Sequence, residues 1–125
     1  MNKFAYLIID EENKMEIVYK DNPKLTLEEL YKAIGCHTIQ VVRPYINEVR
    51  QNHIIMIIDE EGKLRNKETN LAATLLYNVP DDYIVGKCIM AKDVADGFEE
   101  PDLFAIPLDE AKMLYESYTK SIVQS

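Results

Sequence analysis

Glycine and proline are scarce in this chain, four and five among 125 residues, which excludes a long disordered or low-complexity region. Cysteine is scarcer still: Cys36 and Cys88 stand far apart without CxxC spacing, so neither a disulfide framework nor a zinc ribbon is indicated. With no secretory signal pattern at the N-terminus, the expected setting is the cytoplasm, with reduced thiols. The longest apolar run, Ile54 to Ile58, is a strand's worth and far short of a membrane span, so no membrane partner is expected. There is no GxxxxGK[ST] loop, no GxGxxG after a strand, no GxSxG elbow and no HExxH helix, and the enzyme classes that depend on them receive no support.

What the chain does have is acid. The formal net charge is -8, which sets general DNA binding and anionic lipid against an average repulsion. Acidity fits three other roles: solubility, contact with a basic patch on a protein, or mimicry of a nucleic acid. The hydrophobic fraction of 47% and charged fraction of 29% are those of a globular protein, and the length suits one domain over residues 1–125.

In chain order, Lys3 to Ile9 is apolar on both faces and reads as a covered strand. A polar turn at Asp10 to Asn13 leads to a half-exposed strand with Met15, Ile17 and Tyr19 alternating, which makes a hairpin. Thr26 and Glu29 form a capping box that opens a helix, with Leu25 and Leu30 as its hydrophobic staple, Leu27, Tyr31 and Ile34 on its apolar face, and Gly35 as its left-handed C-cap. Thr38 to Arg43 is a strand ended by Pro44, followed by a polar connector from Tyr45 to Gln51.

His53 to Ile58 reads as a second covered strand. Gly62 is expected to turn the chain with a positive φ, and Asn66 or Asn70 to cap a helix packed through Leu71 and Leu75. Tyr83 to Ala91 is a strand in which Gly86 marks a bulge or a close approach. Residues 92–101 form a mobile acidic loop, and Leu103 to Ile106 a short strand. Asp109 is the expected N-cap of a last helix with the stripe Ala111, Leu114, Tyr115, Tyr118 and Ile122. The fold class is therefore α+β, one compact domain with a mixed, mainly antiparallel sheet of about five to six strands and three helices. LIIDEENKM from Leu7 echoes MIIDEEGKL from Met56, which suggests a pseudo-duplicated ββαβ plan.

Cys36, His37, Cys88 and His53 lack metal-site spacing and read as structural, so no metal or cofactor is assigned. Lys63, Arg65 and Lys67 form the dense basic run. If extended, all three point to one side, where with Arg43 and Asn70 they are candidates for a small, nucleotide-like anion; the bland alternative is a solvated strand edge. Asp59, Glu60, Glu61, Glu99 and Glu100 are the candidate contacts to a protein partner, against the simpler reading of Asp59 to Glu61 as a solvated turn. No catalytic residues emerge. A homodimer stays open.

The segments LEELYKAIG, IQVV, IIDEEGKL, the N-x-x-A-T of Asn70, Ala73 and Thr74, YIVGKCIM and LDEA together resemble the domain-of-unknown-function 3846 family of small proteins in Firmicutes, their phages and their plasmids. The chain departs from the usual glycine pair at Gly35-Cys36-His37. The resemblance implies a cytosolic product of a phage or mobile element that acts by binding, with a host factor as the partner it would inhibit or regulate, and it carries over no catalytic residues.

Overall fold

The two covered runs form the middle of a sheet because neither has a polar face to offer water. The computed structural model describes residues 2–44, 53–93 and 103–124. Strands β1 (Phe4–Ile9) and β4 (Ile54–Asp59) both flank β5 (Cys88–Asp93), while β2 (Met15–Lys20) and β3 (Ile39–Val42) close the two sides in the order β2-β1-β5-β4-β3. Two short pieces, β6 (Leu103–Phe104) and β7 (Ile106–Pro107), add to β5 and β1. Every pair among these seven described strands is antiparallel, so the expected parallel component is absent from them.

Alternation of side chains divides the core. Tyr6, Ile55, Ile57, Ile89 and Ala91 pack against Leu30 and Ile34 of helix α1 (Leu27–Ile34). On the opposite face, Ala5, Leu7, Ile9, Ile54 and Met90 pack against Ala111 and Tyr118 of α3 (Leu108–Gln124), and Met56 and Cys88 against Ala73 and Tyr77 of α2 (Leu71–Tyr77). The result is three layers, α1 on one side and the other two helices on the other. No described helix is long and apolar enough to cross a membrane.

Local chemistry explains the helix ends. Thr26 accepts from the Glu29 amide and Glu29 accepts from the Thr26 amide, at 3.2 and 2.9 Å, and Gly35 closes α1 with φ 77°. Leu25 and Leu30 are buried as the staple requires, but Leu27 is 52% exposed. In α2 the phase is set by Asn70, which is the cap; Asn66 instead takes a left-handed turn at φ 55°. That phase, with two alanines thin enough to bring the backbone close to the sheet, buries Ala72, Ala73 and Tyr77. Leu71 and Leu75 are consequently 56% and 62% exposed, opposite to expectation. Helix α3 follows β7 directly, with the Leu108 amide donating to the Lys3 carbonyl, so Asp109 lies in its first turn and does not cap it.

The echoed stretches occupy equivalent places. Leu7 and Met56 are both register partners of Met90, and Ile8 and Ile57 of Ile89. Beyond them the halves diverge. Asp10 Oδ1 accepts from the amides of Glu12 and Lys14, and Asn13 at φ 66° completes a hairpin. Asp59 Oδ1 accepts from Glu61 N, and the chain then coils through residues 60–66 into α2 with no second strand among the described residues. The ββαβ duplication is thus corrected to one shared strand and corner. Gly62 does not take a positive φ; a Cβ there would lie 2.8 Å from Val85 Cγ2, so it is required for close packing.

Candidate functional site

The basic run lies in that coil. Residues 60–66 are a run of turns and not a strand, so the alternation that would align Lys63, Arg65 and Lys67 does not arise, and the extended arrangement is corrected. Each meets its own carboxylate. Lys63 Nζ lies 2.8 Å from Asp82 Oδ1, Arg65 Nη2 3.2 Å from Glu61 Oε2, and Lys67 Nζ 2.8 Å from Asp59 Oδ2. A phosphate here would have to displace a carboxylate from each cation.

Lys67 is an anchor. Its ammonium also donates to the Gly35 carbonyl at 3.2 Å, joining the end of α1 to the end of β4, and its stem crosses Gly86, where a Cβ would meet Lys67 Cδ at 2.9 Å. The close approach expected at Gly86 is therefore real, and its φ of 74° breaks the strand that was expected from Tyr83; β5 begins at Cys88. Burial pushes the Asp59 carboxyl up, but Lys67, the Glu61 amide and Arg65 outweigh it and hold it below its ordinary value. The Cys36 thiol is pushed up by burial first and by the Asp59 carboxylate second, and burial raises Cys88 to about 12.

Asn70 and Arg43 are also taken into the architecture. Asn70 is fully buried; its amide donates to the carbonyls of Ile9 and Gly86 at 2.9 and 2.8 Å while Oδ1 accepts from Ala73 N at 3.0 Å. Arg43 pairs with Asp93, which is 2% exposed. Glu99 and Glu100 lie outside the described residues.

Asp82, in the segment that follows α2, organises the remaining cleft. Asp82 accepts from Lys63 Nζ, from the Tyr77 hydroxyl and from the Tyr83 amide, each at 2.8 Å. These donors, Lys63 foremost, hold its carboxyl at about 2; burial and then Asp82 push the Tyr77 phenol up. No signal in Pro80-Asp81-Asp82 shows which aspartate turns inward; Asp81 takes φ 62° and Asp82 the bonds. The Lys63 ammonium sits 4.3 Å from the centre of the exposed Tyr83 ring.

Asp59, Glu60 and Asp82 line this cleft with Tyr77, Tyr83 and one cation, Lys63; its volume is about 120 Å³. At about 30 Å³ per water that is room for a few waters or one side-chain head. Carboxylates outnumber the resident ammonium.

The family model described as Domain of unknown function (DUF3846) matches residues 2–106. The chain belongs to that family. No curated protein and no solved structure matches it. In this DUF3846 chain the matched span runs from β1 to the start of β7 and so includes the whole cleft. Elsewhere on the described surface carboxylates and cations alternate, as at Glu12 with Lys14, Glu29 with Lys20 and Glu110 with Lys92. Mimicry of a nucleic acid needs two rows of uncompensated carboxylates, a different arrangement.

Proposed function

We propose that this DUF3846 chain is a non-enzymatic interaction module that binds a basic surface of a protein partner, taking one cationic side chain into the cleft between Asp59 and Tyr83. The phage or mobile-element setting that the resemblance implies makes a host factor in the cytoplasm the expected partner. The supporting observation is Lys63 itself. Its ammonium lies on an aromatic ring and against a carboxylate, the surroundings a partner's lysine or arginine would need, with Glu60 exposed beside it. The chain's charge of -8 adds attraction at a distance, which salt would screen.

The test is affinity capture from host lysate at about 0.05 M and about 0.3 M salt, with the native chain and with a Glu60→Lys, Tyr83→Ala variant. The expected result is a protein that the native chain enriches, that higher salt weakens and that the variant loses. Equal capture by both chains overturns the cleft as the contact, and turnover of a small substrate overturns the non-enzymatic reading.

A further inference from the structure

The outer edge of β2 is a second unused surface. No described strand pairs with it. Its register with β1 is unbroken over all six residues, Met15 opposite Ile9 through Lys20 opposite Phe4, with no bulge, proline or glycine. The opposite edge, β3, is four residues long and is followed by Arg43 and Pro44. Beside β2 runs a groove of about 610 Å³, with Met15, Ile17 and Tyr19 of β2 and Tyr115 of α3 in its lining. Tyr19 is 49% exposed.

We infer that β2 pairs with β2 of a second copy of this chain, antiparallel about a two-fold axis at Val18, and that the two sheets become one. A two-fold axis perpendicular to the sheet pairs residues of the same face, so only a few registers compete. With the axis at Val18, Glu16 lies opposite the partner copy's Lys20, and Lys20 opposite its Glu16. On the other face Ile17 lies opposite Tyr19 twice, which sets each exposed tyrosine beside the other copy's groove.

An axis at Ile17 would place Lys14 opposite Lys20. An axis at Tyr19 would place Val18 opposite Lys20 and leave Glu16 without a cation. Charge complementarity selects the first register. Lys20 can serve it: its ammonium donates to Glu29 and to the Lys24 carbonyl, and a lysine has three protons to give. Glu16, on the same side of the strand, has no ion pair among the described residues.

The test is sedimentation velocity of the full chain over a wide concentration range, with cysteine crosslinking to fix the register. A mass rising from 14.5 kDa toward twice that value is expected. Residues directly opposite have Cα atoms about 4.5 to 5.5 Å apart, within reach of a disulfide, so Val18→Cys should crosslink on mild oxidation and Ile17→Cys should not. The native cysteines are buried and will not compete.

Glu16→Lys should weaken association at least about ten-fold while leaving the thermal midpoint of the dilute protein near the native one. A chain that stays monomeric throughout, or a dimer indifferent to Glu16→Lys, overturns the interface. Crosslinking through Ile17→Cys in place of Val18→Cys overturns the register.

Discussion

Replacing Asn70 by alanine would remove a side chain that ties β1, the approach to β5 and the start of α2 to one point. The substitution deletes three hydrogen bonds and leaves the carbonyls of Ile9 and Gly86 and the Ala73 amide without their partner in a site that is 0% exposed. A net hydrogen bond is worth about 1 kcal/mol, a lost helix cap about the same, and a stranded buried group somewhat more. The expected loss is about 3–4 kcal/mol, a large share of the stability of a domain this size. In urea, with a slope of about 1.5–2 kcal/mol/M, the midpoint should fall by roughly 2 M.

Two further substitutions separate the parts. Asn70→Ser keeps an acceptor for Ala73 but cannot reach both carbonyls, and should cost about half as much. Asn70→Asp keeps the cap while turning a carboxylate against two carbonyl oxygens, so at pH 7 it should be no better than alanine. Burial raises the introduced carboxyl in the folded state, so folding then takes up a proton and stability should recover as pH falls through that raised value. An alanine variant within about 1 kcal/mol of the native chain, or an aspartate variant equal to it at pH 7, would refute the clamp.

Other substitutions probe the neighbouring contacts. Lys67→Met leaves the Asp59 carboxylate, whose side chain is 1% exposed, without its cation, and should cost about 3 kcal/mol at pH 7; adding Asp59→Asn should restore at least half of that in the same urea melts. Gly86→Ala forces a side chain to φ 74° and against Lys67 Cδ, and should lower stability by about 2–3 kcal/mol, read by thermal melting. Because the folded-state pKa of Asp82 is depressed to about 2, its contribution is present above the ordinary carboxylate range and lost as pH falls from about 4 to about 2. Carboxyl NMR should show this midpoint rising in Lys63→Ala and in Tyr77→Phe; an unshifted Asp82 in the native chain would refute its three-donor setting.

Elements governed by local chemistry were legible in the sequence. The Thr26 and Glu29 box, the Leu25 and Leu30 staple, Gly35 and the covered strands follow from neighbours within a few residues. The failures came where distant contacts decide. Leu71 and Leu75 look like a core stripe, yet the phase of α2 is fixed by Asn70 reaching Ile9 and Gly86 across the fold. The basic run reads as an alternating strand, but the chain turns through residues 60–66, where Gly62 packs against Val85. The partners of Lys63 and Arg43, Asp82 and Asp93, lie 19 and 50 residues away, and no local pattern links them. Of the expected anion face only Lys63 remains in a cleft, and there it faces carboxylates.

Whether that cleft accepts a foreign cation is read most directly by titrating ¹⁵N-labelled protein with N-acetylarginine amide, for the native chain and for Lys63→Ala. The resident ammonium competes through one ring contact and one ion pair, together about 1–2 kcal/mol, so its removal should tighten binding about ten-fold. The predicted result is a set of shifts centred on Glu60, Asp82 and Tyr83 that saturates at lower ligand concentration in Lys63→Ala. Shifts centred elsewhere, or the same affinity with and without Lys63, would contradict the proposed function.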